Sequence, residues 1–291
     1  MANSVELARK YLPIIDTIYS AESKTAILDR PGIVDLQGVN EAKILKVAVQ
    51  KLGDYSGSYP QGDVTATWET IKLLYKRSRR FDIAKTDNEE TLNMLVGAVL
   101  GEFTRSAVVP EVDAIRFAKY ATAAGTKVEG ELGKSTFKDA IETAQSVLIN
   151  KGISLSNTVI FINALKAKDF YDGIGRTLAN EMVGNTRVNI WNGAPIIEVP
   201  SDRFYSKIST LSGATGQEEG GYVKAADGKD INFMIVEKSA PWQVIKDTES
   251  KMFEPSVNQN SSGYIYDFLM YHDAGVFENK EGGVYVHTLP A

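Results

Sequence analysis

The sequence predicts a folded α+β chain on three observations. A run beginning near Asp87 carries Leu92, Leu95, Val96, Val99, Phe103 and Ala107 at the three-to-four spacing of an amphipathic helix. Elsewhere, Val64, Ala66 and Trp68 alternate with Thr65, Thr67 and Glu69, the period of a half-buried strand. Third, 291 residues, 43% hydrophobic and 24% charged, supply a sizeable core for one large domain or two ordinary ones and lie far from the composition of disordered chains.

In chain order, Val5, Ala8, Leu12, Ile15 and Tyr19 predict a helix over residues 3–19, with Asn3 and Glu6 spaced as a capping pair and Pro13 bending or ending it. Residues 21–38 have no clear period and read as an extended arm, which must be held by its own chain or by a neighbour. Residues 43–50 and 64–71 read as a hairpin reaching about 30 Å. The connection over 51–63 is far longer than an ordinary hairpin turn. Such a ribbon is marginal alone in water and needs a surface to lie on. Asp87 and Glu90 predict the start of the long helix, which resumes past Pro110 through Ala114, Ile115 and Ala118, with a kink near Val109. A second amphipathic helix over 136–150 ends at Gly152. Strands follow over 158–163, 187–191, 196–199, 231–237, 264–271 and 283–288, with short helices over 166–172 and 176–183. Residues 211–229, dense in Gly, Ser, Thr and Glu, read as an exposed, mobile loop.

Composition narrows function. The net charge of −5, from 37 acids against 32 bases, argues against a surface built as a whole to neutralise phosphate. Zero cysteines remove disulfides, thiolate metal sites and a cysteine nucleophile, and fit a reducing cytoplasm. The amino terminus shows no cationic stretch leading into an apolar run, so no secretory signal is expected. The longest uninterrupted apolar stretch, residues 94–100, falls well short of the ~20 residues that span a bilayer, so no membrane partner is expected.

The candidate motifs fail on their own chemistry. Gly130, Gly133, Lys134 and Ser135 suggest a phosphate loop, but the first glycine of that motif would fall at Val128, and the residues before it read as a helix end instead of a buried strand. Gly173 and Gly175 suggest a dinucleotide fingerprint, but Leu178 stands where its third glycine belongs. His272, Asp273 and His287 would meet only if the last two strands paired, and a third metal ligand is lacking, so they read as ordinary strand-end residues. No Gly-x-Ser-x-Gly elbow is present and no pair of carboxylates is singled out. The sequence therefore names no catalytic, cofactor-binding or metal-binding residue. One charged cluster stands out: Lys72, Lys76, Arg77, Arg79 and Arg80. It reads as a solvated strand face, as a dock for an acidic patch of a neighbouring subunit, or as a nucleic-acid contact.

Residues 1–29, the junction 86–92, the runs 101–105, 108–113 and 117–120, and the close Tyr271-His-Asp-Ala-Gly-Val-Phe-Glu278 resemble tailed-bacteriophage major capsid proteins over essentially the full length. The resemblance implies the Hong Kong 97-type capsid fold: an N-terminal arm (1–42), an extended hairpin or E-loop (43–86), a peripheral domain with a long spine helix (87–157), an axial domain (158–240) and a return to the peripheral sheet (241–291). It implies a non-enzymatic subunit that assembles into pentamers and hexamers of an icosahedral shell enclosing double-stranded DNA, contacted non-specifically. Scaffolding and portal proteins are the implied assembly partners, with assembly in the host cytoplasm and final location in the virion. The loop 211–229 is expected on the axial surface or near the capsomer centre. Some relatives weld the shell through a Lys–Asn isopeptide bond, but residues 52–62 hold no lysine, so a noncovalent shell is expected. Some carry a cleaved N-terminal scaffolding segment; here the arm helix begins at once, which implies a separate scaffold or a mature form. The alternatives are a cellular nanocompartment shell of the same fold with a protein cargo, and a cytoplasmic hydrolase without a recognisable motif.

Overall fold

Strand pairing begins with a ribbon built from the first three strands. In the computed structural model, which describes residues 17–19, 21–29, 34–37, 41–50, 54–57, 59, 61–84, 95–174, 179–183, 186–247, 251–256, 258 and 263–290, β1 (Val34–Gln37) pairs with β2 (Glu41–Val49), and β2 with β3 (Val64–Lys72), all antiparallel. The predicted hairpin is present, in register from Glu41 opposite Lys72 to Val49 opposite Val64, with β1 as an added strand. The predicted helix over 3–19 lies outside the described residues apart from helical Thr17–Tyr19.

After the two-residue corner Leu73-Leu74 the chain enters β4 (Tyr75–Ala84), which leaves the ribbon and joins another sheet. This strand, inside the stretch assigned to the extended hairpin, was not separately legible because cations occupy four of its ten positions. Leu73 is buried with Val244 and Tyr271, an apolar contact where the chain leaves the ribbon for the body.

Residues 95–123 form one helical rod: α1 (Leu95–Phe103), a π-helical turn (Thr104–Val108) and α2 (Val109–Ala123), about 44 Å long at ~1.5 Å per residue. The predicted break at Val109 falls one turn earlier. Pro110 has no N–H for the carbonyl four residues back, and the Val109 N–H instead reaches the Thr104 carbonyl. Thr104 and Ser106 hydroxyls donate to the Leu100 and Glu102 carbonyls at 2.9 and 2.6 Å, which loosens the same turn. The predicted cap at Asp87–Glu90 lies outside the described residues.

The rod is a wall shared by two sheets. The larger has seven strands, β5 (Thr126–Glu129), β6 (Thr158–Asn163), β7 (Ala179–Val183), β8 (Thr186–Trp191), β9 (Ala194–Val199), β12 (Ile231–Glu237) and β16 (Val284–Thr288), in the order β5-β16-β12-β6-β9-β8-β7. The pairs β5–β16 and β6–β9 are parallel and the others antiparallel. Strand alternation sends Val159, Phe161, Met234 and Val236 to Phe117 and Tyr120 of α2, and Ile160, Ile162, Phe233 and Ile235 to the opposite face. That face is covered by α3 (Phe137–Asn150) and α4 (Ala164–Gly173) through Phe137, Ile141, Leu148 and Phe170. Both helices match their sequence expectation.

Two expectations change here. Residues 176–183 were expected helical, but 179–183 form β7, because backbone pairing with β8 outweighs a short helical pattern. The residues before Gly130 are strand β5, not a helix end; four mostly exposed residues carry too little apolar pattern to announce an edge strand. β8 turns into β9 through Asn192 and Gly193, both at positive φ (51° and 82°), the backbone demanded by a two-residue hairpin.

The smaller sheet is centred on β15 (Gly263–Val276), flanked on one side by β13 (Pro241–Asp247) and β14 (Lys251–Phe253) and on the other by β4. Ile83, Met252, Tyr266, Phe268 and Met270 pack on Leu100, Val108 and Val112 of the rod. Of the stretch 241–291, β13–β15 lie in this sheet, whereas β16 rejoins the seven-stranded one. A small pair, β10 (Ile208–Thr210) with β11 (Tyr222–Lys224), carries the exposed loop between them back against the body.

Phe117 is fully buried with its ring edge-on to Phe161 (5.1 Å) and Phe204 (4.9 Å). Phe117→Ala is expected to lower the unfolding free energy of the unassembled subunit by about 3–5 kcal/mol, read by denaturant titration.

Candidate assembly surfaces

A buried carboxylate fixes the arm. Asp113, fully buried on α2, accepts from the Ser23 hydroxyl (2.8 Å), the Lys24 N–H (2.9 Å), the Thr25 N–H (3.3 Å) and the Thr25 hydroxyl (2.7 Å). Arg116, one turn on and also buried, donates to the same Thr25 hydroxyl (2.8 Å), pairs with Asp29 (3.3 Å) and lies against the Tyr19 ring (5.8 Å). Arg203 reaches Asp113 from the far side at 3.5 Å. Burial pushes the Tyr19 phenol up to about 12, with Arg116 opposing the shift. Gln243 on β13 donates to the Thr25 carbonyl (3.3 Å) and the Tyr120 hydroxyl (2.5 Å), and Leu28 plugs the core. Residues 23–29 of the predicted arm are therefore held by their own chain. Sequence reading did not single out Asp113 and Arg116; the available signal was an opposite-charge pair at i,i+3 inside the apolar helix 108–121.

The ribbon is the opposite case. Val64, Ala66 and Trp68 are all exposed, Trp68 to 58%, and their register partners are Val49, Val47 and Leu45. At its tip Tyr55 and Tyr59 touch each other at 5.2 Å while staying 65% and 89% exposed. Apolar side chains left open to solvent along β3 mark an interaction surface.

The cation cluster is mostly spent within the chain. Arg77 forks onto Glu111 of the rod, with Nη2 at 3.0 Å, and donates to the carbonyls of Leu211 (2.9 Å) and Gly221 (3.1 Å). Arg80 grips Asp267 across the β4–β15 pair at 2.5 and 2.6 Å. Arg79 donates to the Glu218 carbonyl at 3.2 Å. Arginines on β4 thus tie down residues 211–221 of the stretch 211–229, which the sequence reads as an exposed, mobile loop and of which Tyr222–Lys224 form β11. Between β4, this loop and the rod lies an open groove of about 1320 Å³.

The glycine motifs are structural. The turn 133–136 starts α3, with the Gly133 N–H donating to the Thr136 hydroxyl (3.1 Å) and the Phe137 N–H to the Gly133 carbonyl (3.0 Å). Gly173 closes α4 where a Cβ would meet the Lys134 carbonyl at 2.8 Å; Gly175 lies outside the described residues. His272 and Asp273 are on β15 and His287 on β16, in different sheets, so the last two strands do not pair. His272 is 1% exposed and stacks on Tyr75 (5.5 Å); burial, then Arg116 and Arg77, push its imidazole down to about 3. His287 meets Asn232 (3.1 Å) and is also shifted down by burial. Among the described residues no group of three or more His, Asp or Glu could hold a metal ion, and no helix is long and apolar enough to cross a membrane.

No family model matches the chain, and no curated protein matches it in sequence. Solved structures do, with 102 matching chains. A chain from the capsid structure of cyanophage P-SCSP1u superposes at TM-score 0.51 over 88% of this chain and 85% of its own, with 13% identity. One from the structure of the head fiber and inner core protein gp22 of native bacteriophage P68 gives 0.53 over 87% and 82%, with 12% identity. The virus-like particle from Pyrococcus furiosus gives 0.52 over 95% and 99%, with 9% identity. The chain has the Hong Kong 97-type capsid fold.

Asp113→Ala removes the acceptor shared by Ser23, Lys24 and Thr25 and takes a carboxylate from the part-buried Arg203. We expect a loss of about 3–5 kcal/mol in subunit stability and new cleavage within residues 21–29 on limited proteolysis. His272 contributes a pH dependence of known sign. Its folded pKa lies below the ordinary histidine value near 6.5, so the unfolded chain binds the extra proton between about pH 6.5 and 3. The stability it supplies is complete above pH 6.5 and is lost as pH falls, at up to ~1.4 kcal/mol per pH unit. His272→Phe, which keeps the stack on Tyr75, should flatten this slope in denaturant titrations across that window.

Proposed function

We propose that this chain is the major capsid protein of a tailed bacteriophage, a structural and non-catalytic subunit that assembles into pentamers and hexamers of an icosahedral shell around double-stranded DNA. The observation that carries the reading is the exposed apolar ribbon on a body with the capsid fold. A ribbon that leaves Val64, Ala66 and Trp68 in water is marginal alone and gains by lying on another subunit. Head-to-tail contacts of this heterologous kind close into rings. In this reading residues 1–42 are the arm, 43–86 the extended hairpin, 87–157 the spine and its companion helix, 158–240 the axial domain and 241–291 the return to the peripheral sheet. Scaffolding and portal proteins act during assembly in the host cytoplasm, the DNA is touched without sequence preference, and the finished protein resides in the virion.

A second reading, the shell of a cellular compartment with a protein cargo, is favoured by one observation: the Pyrococcus furiosus virus-like particle aligns over 95% of this chain and 99% of its own. What the shell contains separates the two.

Negative-stain microscopy with light scattering on the purified protein, alone and with a co-expressed neighbouring scaffold, tests the proposal. Uniform rings or closed shells tens of nanometres across are expected. A persistent monomer under both conditions would overturn both shell readings. Co-purifying nuclease-protected DNA from infected cells supports the phage reading, and a stoichiometric enclosed enzyme supports the other.

A further inference from the structure

We infer that Asn192 and Gly193, the turn between β8 and β9, form a covalent modification site: the Asn192 side-chain amide is lost to attack by the Gly193 backbone nitrogen, and the buried Gln145 both holds that amide back and receives the carboxylate that replaces it. The chemistry is internal to one chain and stands apart from the assembly reading.

Asn192 and Gly193 are the only Asn-Gly pair in the sequence. Asparagine is a thermolabile residue, and a glycine after it places no Cβ beside the attacking nitrogen. Both residues are exposed, and both lie outside the β8–β9 ladder, whose last pair is Trp191 with Ala194. Among the described residues Asn192 is the one residue other than glycine at positive φ, 51°. The reaction balances with water alone. Hydroxide takes the Gly193 N–H proton, the nitrogen forms a bond to Asn192 Cγ, the Cγ–Nδ2 bond breaks and ammonia leaves. Water then opens the cyclic imide at either carbonyl, to aspartate or to isoaspartate.

The socket under this turn is short of acceptors. Asn192 donates its Nδ2 to Gln145 Oε1 at 2.8 Å. Gln145, on α3, is 2% exposed, and among the described residues its own Nε2 has no partner; nor has the buried indole N–H of Trp191, next to the turn. A buried donor without an acceptor is costly, so two of them at one turn favour a side chain that only accepts. The aspartate formed at position 192 is such a side chain, and a half-turn of the Gln145 amide points Nε2 at it. Until then the bond from Nδ2 engages the leaving nitrogen and fixes the carboxamide, so Gln145 is a positioning residue that slows the loss. The isoaspartate product acts differently. Its backbone runs through Cβ and Cγ, which lengthens a two-residue turn whose geometry sets the β8–β9 register.

Peptide mapping by mass spectrometry, on the folded full chain held in mildly alkaline buffer, reads the site. The peptide holding residue 192 should gain the mass of amide-to-acid exchange, in aspartyl and isoaspartyl forms, severalfold more slowly than in the same chain unfolded in urea. Gln145→Leu should convert severalfold faster than the wild type. Gln145→Glu, which keeps an acceptor for Nδ2, should stay near the wild-type rate, and circular dichroism confirms that each variant folds. Asn192→Asp, made directly, should resist denaturant as well as the wild type or better, because its carboxylate answers Gln145. No conversion at residue 192 in the folded chain, or equal rates in the wild type and Gln145→Leu, would overturn the inference, as would an Asn192→Asp chain that unfolds at lower denaturant. If Gln145→Leu does not fold, the stability of Asn192→Asp decides the matter alone.

Discussion

Asp113 is the group on which the rest of the fold depends. A carboxylate with no solvent exposure is tolerated only if its charge is answered, and here two hydroxyls, two backbone N–H groups and Arg203 answer it. Because those partners come from residues 23–25 and from the segment after β9, while Asp113 itself stands on α2, one buried charge joins three separate stretches of the chain. Arg116 extends the join to Asp29 and Tyr19, and Gln243 carries it to the smaller sheet. Specific polar capture fixes one arrangement of arm on rod, where an apolar contact of equal area would tolerate sliding.

Around that join the rod serves two sheets at once. Leu100, Val108 and Val112 face the smaller sheet, Phe117, Tyr120 and Ala121 the larger. The π turn lies where the service changes, so the extra residue in that turn helps re-aim the stripe from one sheet to the other. With both sheets committed to the rod, β3 of the ribbon leaves Val64, Ala66 and Trp68 in water. A body that buries its core inside one chain, with apolar side chains of β3 left for contact between chains, is the division of labour an assembling subunit needs.

The legible parts were those whose packing leaves a periodic trace. The stripe from Leu95 to Ala118 announced the rod, the alternation through Val64, Ala66 and Trp68 announced β3, and the buried runs 158–163 and 231–237 announced the centre of the larger sheet. β4 was hidden because one sheet edge and one groove wall share it, so cations fill positions where a half-buried strand shows apolar residues. β7 was misassigned because a short edge strand owes its state to β8, which a local window does not see. The arm anchor and the groove were invisible for a deeper reason: each is made by residues far apart in sequence whose types, Asp, Arg, Ser and Thr, are the ordinary currency of surfaces. Resemblance supplied the fold name, and geometry supplied the partners of Arg77, Arg80 and Asp113.

The corner at Leu73 and Leu74 has a mechanical side. One residue is sunk among Val244 and Tyr271, the Leu74 N–H is held by Asp273 at 3.2 Å, and beyond it the ribbon meets no further wall that keeps Val64 or Trp68 from water. This is a lever on a single fulcrum. With an arm of about 30 Å, a rotation of roughly 10° at the corner moves the tip by about 5 Å, while the rod and both sheets stay as they are. In the shell proposed above, which would seat the same chain in rings of different curvature, such a lever would absorb the difference at one pivot.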